Sequence, residues 1–321
     1  MSKPKVAFYW CASCGGCEET VVDLAEDILG VVEKVEIVLW PVAMDFKYKD
    51  IEAMADGSIV ATFLNGAIRS TEQAAMARLL RRKSRYMIAY GTCAHLGGIP
   101  GLANQYSREQ ILRFNYEESP SVVNEGGVRP RVRTEEGGHE LELPELHEGV
   151  RALDQVVEVD YYVPGCPPTP NLTRAAVGAL LEGRLPGRGS VLAPDVALCS
   201  ECPRRESKPV DLAFSGFVRP HQKLLDPGKC FLVQGVVCMG PGTRAGCGGQ
   251  CIGGNMPCTG CFGPTTRVKD QGAKMLSSLC SNVGPKEEAG IDEVLKGIPD
   301  PVGTFYRYGL AKSLLRRKKN V

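Results

Sequence analysis

Eight cysteines fall between residues 199 and 261: Cys199, Cys202, Cys230, Cys238, Cys247, Cys251, Cys258 and Cys261. The stretch around them is rich in glycine and proline and has no long periodic apolar segment. From about residue 186 the chain therefore offers too little apolar surface for an ordinary core, and cross-links or bound metal are expected to hold it. The other six cysteines are Cys11, Cys14, Cys17, Cys93, Cys166 and Cys280. In a secreted chain so many cysteines would suit a disulfide framework. Clustered in a reducing compartment, they point to metal or redox chemistry.

The first ~185 residues read differently. "KVAFYW" (5–10), "KVEIVLW" (34–40), "SIVATFLNG" (58–66), "RYMIAYG" (85–91) and "VVEVDYYVPG" (156–165) are expected strands. Between them, "EETVVDLAEDIL" (18–29), "STEQAAMARLLRR" (70–82) and "NLTRAAVGALLEG" (171–183) have helical spacing. Ser70 or Thr71 ahead of Gln73 forms a capping pattern. Strands alternating with helices predict an α/β fold, a flavodoxin-like doubly wound parallel sheet, followed by an irregular cysteine-rich domain. The expected organisation is 1–185, 186–280 and a loosely helical tail, 281–321, ending in "RRKK" (316–319), read as a solvated end. Residues ~105–155 separate the fourth and fifth strands and read as a polar excursion with a small hairpin.

Charge excludes some functions. With 38 basic and 37 acidic residues the net charge is +1, so there is no domain-wide basic excess for nucleic acid. No apolar run approaches the ~18 residues of a membrane span. "MSKPKVAFYW" shows no secretory or twin-arginine signal, which points to a cytoplasmic protein.

In open α/β sheets, sites form at the carboxyl ends of the strands. "CASCGGC" (11–17) follows the first strand, "GTCAHLGGIPG" (91–101) the fourth and "PGCPP" (164–168) the fifth. Three distant loops thus bring cysteines to one sheet edge. Four thiolates there suit zinc or a cubane iron–sulfur cluster. One close pair joined by two lone cysteines in Gly- and Pro-rich turns favours the cluster, because such turns expose N–H groups to sulfur. Eight cysteines between 199 and 261 suit two further four-iron clusters. Two cysteines are then spare: Cys280, outside the dense block, and one of the opening triplet.

"ASCGGCEE" (12–19), "NGAIRSTEQ" (65–73), "YGTCAHLGGIPGLAN" (90–104), "PGCPPTP" (164–170), "KCFLVQGVVCMGP" (229–241), "TRAGCGGQC" (243–251) and "PCTGCFGP" (257–264) occur in order. This set resembles the small subunit of [NiFe] hydrogenases, closest to the cytoplasmic, methyl-viologen-reducing, heterodisulfide-reductase-associated type. The resemblance covers residues ~4–280. It implies three [4Fe-4S] clusters: a proximal one on Cys14, Cys17, Cys93 and Cys166, a medial one on Cys247, Cys251, Cys258 and Cys261, and a distal one on Cys199, Cys202, Cys230 and Cys238. Cys199 stands where many members have a histidine, and Cys251 where periplasmic relatives have a proline. The family's nickel–iron site lies on a separate large subunit. Electrons released there would pass through the three clusters to a small iron–sulfur protein feeding a heterodisulfide-reductase-like flavoprotein complex.

Other residues have more ordinary expectations. Cys11 reads as a small buried hydrophobe at a strand end. Glu18 reads as a first-turn acid, or as part of an interface or proton path. His95 reads as a packing residue, and His221 lacks a ligand pair. Arg244 either offsets thiolate charge or braces the fold. Three alternatives compete. The related quinone-reducing subunit of complex I has adjacent cysteines in its first motif and lacks the eight-cysteine domain. A zinc-binding structural module is the second. An electron-relay or scaffold subunit without hydrogenase activity is the third.

Overall fold

The computed structural model describes residues 3–316. Its strands are β1 (Lys5–Trp10), β2 (Glu36–Leu39), β3 (Ile59–Asn65), β4 (Ile68–Ser70), β5 (Ser84–Tyr90), β6 (Arg133–Glu136), β7 (His139–Glu142), β8 (Leu146–Arg151), β9 (Tyr161–Val163) and β10 (Ser190–Val191). Six form one parallel sheet in the order β2-β1-β3-β5-β9-β10. The five expected strands are all present, in doubly wound order. The two-residue edge strand β10 was not expected, being too short to show any period.

Alternation along the strands sorts side chains to two faces. Val6, Phe8, Ala61, Phe63, Ile88 and Tyr90 meet Val21, Ala176, Val177 and Leu180 from the helices Gly16–Val22 and Pro170–Leu181. On the other face Ala7, Leu64, Met87 and Ala89 meet Ala74, Ala77 and Leu80 of the helix Thr71–Lys83. That helix opens with the expected reciprocal cap. Ser70 Oγ accepts from the Gln73 N–H (3.3 Å), and Gln73 Oε1 accepts from the Ser70 N–H (3.1 Å).

The expected helix over 18–29 is instead two, Gly16–Val22 and Asp27–Lys34. Ala25 between them has φ 50°. The turn buries Leu24, and that packing overrides an apolar period with no breaker in it. The excursion carries β4 paired antiparallel with β8, and a β6–β7 hairpin in the register Arg133↔Glu142.

The cysteine-rich half does have an apolar core, contrary to expectation. Leu198, Phe214, Phe231, Leu232 and Met239 pack with Met275 and Leu279, and then with Val283, Val294, Phe305 and Leu310 from beyond residue 280. The helices Gln271–Cys280, Glu288–Lys296 and Pro301–Phe305 supply the surface that the Gly- and Pro-rich loops lack. Of the terminal basic run, residues 317–319 lie outside the described residues.

Candidate iron–sulfur centres

The carboxyl ends of β1, β5 and β9 bring together the cysteines their loops carry. Backbone pairing fixes those loops: Cys11 N donates to Asn65 O (2.9 Å), Gly91 N to Val163 O (2.8 Å) and Thr92 N to Gly165 O (2.8 Å). The Cys17 thiol is held well above its usual value, first by burial and then by Cys93, Cys166 and Cys14. Cys93 is pushed up to about 12 by burial and by Cys166 and Cys14. Cys166 is raised by burial and by Cys14. Cys14, Cys93 and Cys166 thus all act on Cys17.

Glycines make room for them. Gly91 (φ 85°, ψ 165°) lies in a region that only glycine occupies readily. A Cβ there would run into Cys17 Sγ, and one on Gly98 into Cys93 Sγ.

Cys11 stands apart. It is buried in the core cluster behind the sheet, and its electrostatic neighbours are Glu72 and Tyr9, not another cysteine. Burial holds its thiol well above the usual range.

The thiols of 199–261 act on one another and, through Cys261, on the sheet edge. Cys199 is raised by burial and then, among the thiols, by Cys202 and Cys230. Cys238 is pushed up to about 11 by burial, with Cys199 and Cys230 adding. Cys247 feels Cys251, and Cys261, pushed up to about 12 chiefly by burial, feels Cys166 first and then Cys247 and Cys251. Cys258 is raised by burial, then by Cys238 and, more weakly, by Cys261. A cavity of about 270 Å³ is lined by Cys166 together with Cys247, Cys251, Cys258 and Cys261. A single water needs only about 10–15 Å³ of such space, so the cavity has room for a much larger group.

Backbone N–H groups point at these sulfurs. Gly240 and Cys258 donate to Cys238, Gly260 to Cys258, and Gly249 and Gln250 to Cys247. The Cys166 N–H donates to Cys261. Such N–H···S bonds favour thiolate and tune whatever the sulfurs bind. Burial raises the thiols of Cys17, Cys93, Cys166, Cys199, Cys238, Cys247, Cys258 and Cys261, so a group with cationic metal would bind them by displacing protons. Among the described residues, no three or more His, Cys, Asp or Glu side chains gather tightly enough for one metal ion. The donor set and the cavity fit a polynuclear sulfur-ligated group.

Glu18 is buried, and its carboxylate accepts hydrogen bonds from Trp40 Nε1 and Asn65 Nδ2. Burial raises its pKa, against the effect of those two bonds. Ser13 Oγ donates to Asn65 Oδ1 (2.9 Å), tying the Cys14 loop to the same residue. Sequence reasoning missed Asn65 and Trp40 as partners of Glu18, although Asn65 opens the motif "NGAIRSTEQ". It also missed Thr92, whose Oγ1 donates to Cys261 O and accepts from Gly165 N (3.2 Å). His95 is buried against Tyr162 (ring centroids 4.6 Å apart), and burial holds its imidazole below the usual range. His221 is exposed. Arg244 braces the fold. It pairs with Asp195 (2.9 Å) and donates to the carbonyls of Pro264, Ala193 and Pro194. Cys280 is exposed at the end of its helix.

Among the described residues no helix is long and apolar enough to cross a membrane. Residues 14–180 match the family described as NADH ubiquinone oxidoreductase, 20 Kd subunit. The chain is 38% identical over 317 residues to an F420-non-reducing hydrogenase iron-sulfur subunit of Archaeoglobus profundus, covering 98% of both chains. It is 37% identical over 320 residues to the corresponding F420-non-reducing hydrogenase subunit of Methanothermobacter thermautotrophicus, covering 98% of this chain and 97% of that one. Among solved structures, a chain of an NAD+-reducing [NiFe]-hydrogenase in the H2-reduced state aligns with TM-score 0.50 and 30% identity, over 57% of this chain and 94% of that one. With near-complete coverage at this identity, the chain belongs to the family of F420-non-reducing hydrogenase iron–sulfur subunits, the small subunits of hydrogenase complexes.

Proposed function

We propose that this chain is the electron-transferring small subunit of a [NiFe] hydrogenase and that it holds three [4Fe-4S] clusters. Cys14, Cys17, Cys93 and Cys166 would hold the proximal cluster. Cys247, Cys251, Cys258 and Cys261 would hold the medial one, and Cys199, Cys202, Cys230 and Cys238 the distal one. One observation supports the reading: the thiols act on one another in a continuous series, from Cys14 and Cys17 through Cys166 and Cys261 and on from Cys258 to Cys238. The Cys166 N–H donates to Cys261, linking the first set to the second, and the Cys258 N–H donates to Cys238, linking the second to the third. When bound, the clusters supply one-electron redox centres.

The chain's own residues hold, insulate and orient. Burial of Cys17, Cys93, Cys238 and Cys258 shields the row from water. Cys14 is exposed, as in part is Trp10, whose Nε1 donates to Ser13 O (3.2 Å), which suits docking of a nickel–iron large subunit at that end. The far end would serve a small iron–sulfur protein and a heterodisulfide-reductase-like flavoprotein complex, in the cytoplasm.

The test is iron and acid-labile sulfide per chain on the anaerobically purified complex, with EPR before and after exposure to H2. About twelve irons per chain are expected for three cubanes, with EPR signals that develop under H2. A colourless protein with zinc and no iron would overturn the proposal.

A further inference from the structure

Arg204 is a buried cation held entirely by neutral acceptors. It is 4% exposed. Its Nη1 donates to the carbonyls of Asp226 (3.5 Å) and Lys229 (3.3 Å), and its Nη2 to Ile252 O (3.1 Å) and Asn255 Oδ1 (2.8 Å). Its guanidinium carbon lies 4.2 Å from the centroid of the Phe231 ring. Among the described residues no carboxylate lies within ion-pair distance of it. The exposed Asp226 is the carboxylate that feels its charge, and that group is paired with Lys229 (3.5 Å). Arg244, the other deeply buried arginine of this half, has Asp195. A buried cation without a counter-ion is costly unless a negative charge lies nearby.

The position of Arg204 shows where that charge would be. Lys229 precedes Cys230, Phe231 follows it, and Ile252 follows Cys251. Arg204 itself is two residues past Cys202. The guanidinium thus bridges the loop carrying one cysteine set to the loop carrying the other. Four thiolates around a cubane leave a net negative charge on each set, which grows on reduction.

We infer that Arg204 is the resident counter-charge between the two cysteine sets of residues 199–261, and that it raises the reduction potential of at least one of the groups they hold. This rests on the cluster reading proposed above. A fixed positive charge stabilises the more negative, reduced state, and in a buried setting the effect persists over several ångströms. Arginine suits the role because its charge does not titrate away and its planar fork satisfies four acceptors at once.

The experiment compares R204Q and R204K in the full hydrogenase complex by EPR-monitored redox titration, with iron and sulfide measured on each. R204Q removes the charge, whereas R204K keeps it and loses the fork. In R204Q the equilibrium constant for one-electron reduction of one of these two groups should fall about tenfold, which is 59 mV. R204K should stay within about threefold of the parent, and the sheet-edge group should not move in either variant. Loss of iron from R204Q alone would also support the inference, since charge is what separates the two variants. Unchanged potentials in R204Q, or equal shifts or equal iron loss in both variants, would overturn it and leave a purely structural arginine. If the parent complex contains no iron, the cluster reading itself falls, and that result is separate from any comparison of the variants.

Discussion

The opening Cys-x-x-Cys-x-x-Cys run offers the sharpest test, because two of its thiols sit in opposite settings. Cys11 is 6% exposed and packs in the core behind the sheet, with no cysteine as an electrostatic neighbour. Cys14 is exposed and acts on Cys17, Cys93 and Cys166. Both should be replaced by alanine, so that no oxygen ligand takes the place of sulfur. Cys11→Ala removes one buried heavy atom and should cost about 1–2 kcal/mol through lost transfer energy and a small cavity. Iron should stay at the parent's level, about twelve per chain on the three-cluster proposal. Cys14→Ala deletes a corner of the sheet-edge set, and iron should fall by up to about four per chain, with a matching loss of sulfide. The assay is iron and acid-labile sulfide on anaerobically purified complex, with circular dichroism to confirm that both variants fold. Equal iron loss in the two variants would refute the separation of Cys11 from the working pair.

Three further outcomes follow from the geometry. Gly91→Ala should fold and yet lose about four irons per chain, because its Cβ would occupy the space of Cys17 Sγ; full iron content would contradict the crowding. Ser70→Ala breaks the reciprocal cap and should cost about 0.5–2 kcal/mol. Amide exchange across Thr71–Lys83 should then quicken roughly twofold to thirtyfold, and an unchanged rate would count against the cap. Asp160 is fully buried, accepts from the Met87 N–H (2.8 Å), and pairs with Arg81 (2.5 Å) and the more exposed Arg188 (3.2 Å). Asp160→Asn keeps an acceptor and loses the charge, and should cost about 1–3 kcal/mol, read as a shorter thermal-inactivation half-life.

The parallel sheet was legible because each of its five main strands is a distinct apolar run set off by helical spacing. The cysteines at its edge were legible for the same reason: strand ends predict where loops converge. Ala25 was not legible, because its left-handed turn depends on packing that buries Leu24 rather than on any local breaker. Nor was the core of the cysteine-rich half, since Phe214, Phe231 and Met239 find partners such as Val294 and Leu310 far along the chain. The partners of Glu18 were hidden likewise, because Trp40 and Asn65 lie far from it in the chain and meet it only once the sheet is formed.

Residue 166 faces two ways. Its thiol feels Cys14 and is proposed for the set at the sheet edge, while its peptide N–H donates to the sulfur of Cys261, proposed for the next set. The donor at this contact is main chain, so of the two partners only the Cys261 side chain has to be held in place. That donor follows a turn held by two hydrogen bonds, Thr92 N to Gly165 O (2.8 Å) and Gly165 N to Thr92 Oγ1 (3.2 Å). Replacing the thiol of residue 166 would empty one corner of the first set while leaving the N–H directed at the second.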